Sequence, residues 1–148
     1  MLSVVEKVIF LQDVDVFEYA TTEDLSHIAM ITEEITKASE VDIYRTGDNS
    51  DAMYLVIDGK VRLHRNNTEV MIAHRKDVFG TWALFDDEPR VVTATTLEET
   101  RLLRIERDDF FDLLADHSLI TEGILKSLAK RMRTVLNRTS TEITMQGR

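Results

Sequence analysis

The longest uninterrupted apolar run in these 148 residues is six long, Ala52 to Ile57, and from there to Ile105 each apolar stretch is soon closed by glycine, asparagine or charged residues. A bilayer-spanning helix needs about 20 apolar residues, so none is expected. Short runs with this punctuation predict many short strands, as in a sandwich or small barrel. Asp58-Gly59 lies between two apolar segments of MYLVIDGKVRLHR and reads as a hairpin turn. Asn66-Asn67 separates the second of these from EVMIAHR, and asparagine tolerates the positive φ that a tight turn requires. TATTLEETRLLRI supplies two further strands around Glu98-Glu99.

Helical periods flank this region. Val4, Val5, Val8, Ile9 and Leu11 keep close to helical spacing, and a turn-like DVDVF follows. Thr22 is placed to cap a second helix, with Glu23 and Asp24 in its first turn and Leu25, Ile28, Ala29 and Ile31 roughly on one face. Near Ile35 the period drifts toward alternation through ITKASEVDIY, until Thr46-Gly47-Asp48 breaks it. After Ile105, DDFFDLLADH offers Phe110, Phe111, Leu113 and Leu114 as an apolar side. From Ser118 to Asn137, Leu125, Leu128, Met132 and Val135 form an a/d seam over about two heptads. The expected layout is one domain over 1–148: helices over about 1–34, strands over about 35–105, helices over about 107–138, and a frayed polar tail, TSTEITMQGR, over 139–148.

Charge and composition narrow the function classes. With no cysteine, there is no disulfide framework, thiol nucleophile or thiolate metal site. The N-terminus lacks the order of a signal peptide, so a cytoplasmic protein is expected. Residues 1–100 carry 9 basic and 20 acidic side chains, a net of −11, whereas residues 101–148 carry 9 and 7, a net of +2. So acidic a body disfavours nucleic acid and anionic membranes as partners. Lys130, Arg131, Arg133 and Arg138 read as cations at a helix exit, where the helix dipole favours them. His64 and His74 could face each other across a hairpin, but no His-x-His pair or acidic cluster completes a metal site. No G-x-S-x-G context or Ser/His/Asp arrangement stands out, so neither catalytic nor metal residues are nominated.

Two stretches carry a resemblance. RTGDNSDAMYLVIDGKVRL, with Gly47, Asp48, Asp51, Tyr54-Leu55-Val56-Ile57 and Gly59, resembles the signature of cyclic-nucleotide-binding domains. FGTWALFDDEPRVVTA is similar to that family's phosphate-binding cassette, usually F-G-E-x-A-L, five to seven residues, then R-A-A/S-T; IERDDFFDLLADH also matches. The likeness runs from about Val8 to Met132. It implies an α+β fold: an antiparallel, jelly-roll-like β-roll (a double-stranded β-helix) flanked by N-terminal helices and a long C-terminal helix. It also implies a non-enzymatic regulatory role without a cofactor, with cAMP or cGMP as ligand. The implied ligand residues are Phe79, Gly80, Thr81, Trp82, Ala83, Leu84, Arg90, Val91 and Val92.

The chemistry of the cassette follows from its residue types. TWALF would form a short helix whose first amides lack intrahelical partners and favour an anion. Gly80 would let the backbone approach closely, Arg90 could fork onto two phosphate oxygens, and the Val91 amide could add a donor. The alternative for Arg90 is a surface ion pair with Asp86, Asp87 or Glu88; for Trp82, core packing is expected over base stacking. Thr81 departs from the family's glutamate, which accepts a bond from the ribose hydroxyl. Losing such a charge-assisted bond costs roughly 1.5–3 kcal/mol, about ten- to a hundred-and-fifty-fold in affinity. The branched Val91 and Val92 would narrow the phosphate seat.

Three functions compete. A sensor would bind a cyclic nucleotide or related phosphate effector and relay it through the C-terminal helix. A degenerate domain would instead use the Leu125, Leu128, Met132 and Val135 seam to form a homodimer or dock a fused or separate output domain. A transcription factor of the catabolite-activator type would need a helix-turn-helix, and ten residues follow Arg138, so DNA reading is not expected unless the chain is a fragment of a longer protein.

Overall fold

The computed structural model describes residues 1–146, with side chains through Thr139. Two helices open the chain, each started by a reciprocal capping box. Helix α1, Val4–Leu11, is capped by Ser3 and Glu6, and α2, Thr22–Met30, by Thr21 and Asp24. The cap of α2 is therefore Thr21 rather than Thr22: only the residue one position earlier can reach the amide of Asp24 while staying extended. Between these helices, Asp15–Phe17 forms a 3-10 turn. Phe10, Leu11, Leu25, Ile28 and Ala29 turn inward, whereas Val4, Val5 and Ile9 remain at the surface.

Eight strands follow: β1 Thr32–Lys37, β2 Asp42–Tyr44, β3 Ala52–Asp58, β4 Val61–Arg65, β5 Thr68–Ala73, β6 Val78–Phe79, β7 Thr93–Thr96 and β8 Thr100–Glu106. They form two antiparallel four-stranded sheets, ordered β1-β8-β3-β6 and β2-β7-β4-β5, as a β-roll. The strand region starts at Thr32, three residues before the change of period, because Thr32 bonds back to the carbonyl of Ala29 and turns directly out of α2.

Asp58-Gly59 is a corner rather than a hairpin. Strand β3 belongs to the first sheet and β4 to the second, so the chain changes sheets here. Gly59 sits at φ +108°, and a Cβ on it would lie 2.5 Å from Thr100 Oγ1 and 2.8 Å from the Glu99 carbonyl. The Glu98-Glu99 connection likewise carries the chain between sheets. Asn66 and Asn67, with φ of 51° and 64°, do close the β4–β5 hairpin in the left-handed region. His64 lies opposite Glu69, not His74, because β5 ends at Ala73. Its Nε2 is 2.8 Å from Thr95 Oγ1.

Two cores result. One, with Phe17, Met53, Leu55, Leu103, Ile105 and Phe110 among its members, joins the helices to the first sheet. The other fills the roll, with Tyr44, Tyr54, Val56, Leu63, Phe79 and Leu102. Helix α3, Arg107–Asp116, buries Phe110 and turns Phe111 to solvent, since adjacent helical residues point about 100° apart.

Helix α4 runs from Ser118 to Gln146, so the expected polar tail is helical through residue 146; Gly147 and Arg148 lie outside the described residues. Nothing between Thr139 and Gln146 is a helix breaker. Lys130 and Arg131 are consequently mid-helix. They pair with Glu18 at 3.2 Å and Asp15 at 3.1 Å rather than serving the helix exit. Of the seam, Leu128 packs on the core, whereas Leu125, Met132 and Val135 are exposed. Among the described residues no helix is long and apolar enough to cross a membrane, and no group of three or more His, Cys, Asp or Glu could hold a metal ion.

The corner at Gly59 makes a direct prediction. Gly59→Ala forces a Cβ into the Thr100 and Glu99 backbone at a φ that side chains avoid. We expect a loss of about 1–3 kcal/mol in urea unfolding. An unchanged midpoint would show that the corner relaxes freely.

Candidate functional site

The site begins where β6 ends. Phe79 pairs with Tyr54 on β3 and stacks on its ring at 5.3 Å, which fixes the direction in which the chain leaves the sheet. Gly80, at φ +72°, then reverses the chain into a second 3-10 turn, Thr81–Leu84. TWALF is therefore one tight turn and not an α-helix. Its first amides still lack partners within the turn, but four residues build little dipole.

Arg90 returns from the loop 85–92 and lies beneath Gly80. Its backbone is clamped to the turn after β2: its N–H donates to the Asp48 carbonyl and its carbonyl accepts from the Gly47 N–H, both at 2.8 Å. Only 6% of the residue is exposed. Nη2 donates to the Ala52 carbonyl at 2.6 Å, and Cζ sits 3.9 Å from the centroid of the Tyr44 ring, a cation–π arrangement. The nearest carboxylate is Asp51, 3.7 Å away, itself 3.5 Å from Arg104. The ion-pair partner is thus Asp51, not Asp86, Asp87 or Glu88. All three acids are exposed and two of them, Asp86 and Glu88, line the cavity, but the clamp on Gly47 and Asp48 directs the guanidinium toward Asp51 instead. Nε is buried with no hydrogen-bond partner.

Gly80 is required here for space as well as for φ. A Cβ would lie 2.7 Å from Arg90 Nη1 and 3.2 Å from the Ala52 carbonyl. Above this point opens a cavity of about 400 Å³, within the range of about 300–1,000 Å³ typical of small-molecule sites. Of the nine residues nominated from sequence, Phe79, Gly80, Thr81, Trp82, Ala83, Arg90, Val91 and Val92 line it. Leu84 does not; it is fully buried in the helical core. Trp82 is no core residue: it is 65% exposed. A 3-10 turn places Ala83 and Leu84 inward and leaves position 82 outside. Val91 is 66% exposed, so its branch faces out at the rim, whereas Val92 packs against the roll core.

Sequence reasoning missed Tyr44, Ser50, Leu63, Met71, Val78, Asp86, Glu88 and Pro89 as wall residues, and Asp51 as the partner of Arg90. Asp51 stood in the quoted signature, so its signal was present without a role. Tyr44 and Met71 reach the cavity from the second sheet, which only the closed roll brings near Gly80. The cavity offers one buried cation, Arg90, and an apolar stretch of wall from Tyr44, Leu63, Met71 and Phe79, with the carboxylates of Asp86 and Glu88 in the same lining.

Residues 37–117 match the family described as the cyclic nucleotide-binding domain. The CRP-like cAMP-activated global transcriptional regulator of Mycobacterium tuberculosis is 33% identical over 100 residues, 64% of this chain and 45% of that protein. Lysophospholipase nte1 of Aspergillus fumigatus is 30% identical over 123 residues, 80% of this chain but 8% of that one. The N-terminal domain of a transcriptional regulator from Streptomyces coelicolor superposes with a TM-score of 0.83 at 26% identity, covering 88% of this chain and 94% of that one. The chain thus spans less than half the length of the regulator it matches.

Burial raises the Tyr44 hydroxyl from 10.0 to about 12, and the Arg90 charge only partly opposes this. The stability tied to the neutral hydroxyl is therefore present in full below pH 10.0 and lost as pH climbs through about 12. Alkaline unfolding should show this loss in the native chain and not in Tyr44→Phe. Equal alkaline profiles would mean that the ring is not held as described.

Proposed function

The chain belongs to the cyclic nucleotide-binding domain family, and we propose that it is a non-enzymatic regulatory domain that takes the phosphate of a cyclic nucleotide on Arg90 and passes occupancy to α4. The observation that carries this reading is the buried guanidinium beneath Gly80, already held by Ala52 and Tyr44 at the floor of the cavity. An anion arriving there meets a charge whose desolvation and side-chain ordering are already spent in folding. The cyclic AMP named in the M. tuberculosis relative fits this chemistry and is the first ligand to test. Phe79, Gly80, Thr81, Trp82, Ala83, Val91 and Val92 would form the ligand wall contributed by the cassette, without Leu84.

Thr81 sets the affinity. It offers a neutral hydroxyl where the ribose would meet a carboxylate, so that contact should be weaker than the charged one it replaces. Calorimetric titration with cAMP and cGMP should detect binding that Thr81→Glu tightens by about ten- to a hundred-and-fifty-fold. Arg90→Lys should weaken it about tenfold or more, because an ammonium cannot fork onto two oxygens. Full affinity in Arg90→Lys would sink the assignment of the phosphate seat.

A second reading is favoured by one observation. Leu125, Met132, Val135 and Leu136 stand exposed along α4, which suits a homodimer or a docked output domain, fused or separate. Leu125→Ser with Met132→Ser should then convert a dimer to a monomer in sedimentation. Unchanged mass would assign these side chains to another partner.

A further inference from the structure

A purine entering the cavity would gain affinity by stacking on an aromatic face, and three aromatic residues line the walls: Tyr44, Phe79 and Trp82. Two already use theirs. Arg90 covers the Tyr44 ring at 3.9 Å, and Phe79 lies nearly parallel on Tyr54, with 13° between the planes. Trp82 makes a single ring contact, edge-on to Phe85 at 6.5 Å and 68°, and is 65% exposed. Of the three it is the one that lines the cavity with no other ring or cation stacked on its face.

The same indole borders a second space. A groove of about 790 Å³ runs under α4, with Leu128, Met132 and Val135 along one side and Trp82 on the other. Behind Trp82, Phe85 meets Phe110 edge-on at 6.3 Å, and Phe110 meets Phe17 at 6.2 Å. Phe17 closes the 3-10 turn whose Asp15 accepts from Ser127 Oγ at 3.0 Å and pairs with Arg131. Packed rings thus run from the cassette to the segment that anchors α4.

We infer that Trp82 is the base-contacting residue of this site: its indole stacks on the purine ring of the bound nucleotide and, as the wall shared with the α4 groove, is the contact through which α4 meets the occupied pocket. The inference rests on the cyclic-nucleotide reading above and adds the residue that recognises the base. It also accounts for Thr81 standing beside Trp82. Stacking a base on an aromatic side chain contributes roughly five- to a hundred-and-fifty-fold in affinity, comparable to what the lost ribose carboxylate would have supplied.

The chain holds one tryptophan, so its emission reports this position alone. Titration with cAMP, followed by fluorescence and calorimetry together, should quench or shift the Trp82 emission with the same midpoint as the heat. Inorganic phosphate, which has no ring, should leave the emission unchanged. Trp82→Ala should weaken cAMP about tenfold, and Trp82→Phe should recover most of that loss, since a phenyl ring still stacks. Because the side chain is exposed, both variants should unfold at the native urea midpoint. Calorimetric binding with unchanged emission, or native affinity in Trp82→Ala, overturns the role of Trp82 and leaves the sensor reading standing. No heat from cAMP or cGMP, with either the native chain or Thr81→Glu, overturns both.

Discussion

A guanidinium withdrawn from water must find partners for its charge and its donors, and the burial of Arg90 imposes that demand on the surrounding chain. Its partners come from three separate segments. Tyr44 provides a ring face, Ala52 a carbonyl, and Asp51 a carboxylate at the edge, while Gly47 and Asp48 hold its backbone. Gly80 contributes by lacking a side chain. Displacing any one of these would leave a buried charge short of compensation, so the start of β3, the turn after β2 and the cassette are held in one mutual geometry. The carboxylate is the weakest partner, because Asp51 is exposed and is shared with Arg104.

The roll is what brings those segments together. Tyr44 lies on β2 in one sheet and Ala52 on β3 in the other, and only seven intervening residues join them. The chain must therefore change sheets in a short span, as it does again at Gly59 and at Glu98-Glu99. An antiparallel meander of the same strands would place Tyr44 and Gly80 on one surface with nothing between them. Closure into two facing sheets turns Tyr44, Tyr54 and Phe79 into one ring cluster on which the guanidinium rests.

The parts of this site fixed by residue type were legible in the sequence. Gly80 and Arg90 carry chemistry that few other side chains can supply, and asparagines at Asn66-Asn67 announce their φ. What depends on which sheet a strand joins was not legible: Asp58-Gly59 is compatible with a hairpin and with a corner, and only the long-range pairing of β3 with β8 decides. Trp82 was misread for a related reason. A tryptophan beside Ala83 and Leu84 looks like core in an α-helix, but the 3-10 turn, wound with about three residues per turn, turns it outward. Leu84, the family's apolar cassette position, goes to the helical core instead of the cavity. Asp51 was visible as part of a motif, yet its partner could not be chosen while Asp86, Asp87 and Glu88 lay closer along the chain.

Any relay to α4 must pass through contacts that differ between the empty and occupied cavity, because a ligand shifts an equilibrium only by its differential affinity for the two states. The anchor of α4 is suited to such a shift. Its ion pairs, Lys130–Glu18 and Arg131–Asp15, involve exposed side chains whose attraction water screens, so they hold the helix only lightly. Leu128 is the last seam residue packed on the core. Beyond Arg131 the helix continues through Gln146, a length of about 22 Å at 1.5 Å per residue. On the proposed reading, a small rotation at Ser127 would be amplified along an arm whose apolar side chains, Met132 and Val135, line the groove shared with Trp82. For the proposed sensor, rigid chemistry at Arg90 and a lightly held helix beyond Leu128 are complementary requirements: the first would let an anion bind without rearranging its seat, and the second would leave α4 able to respond.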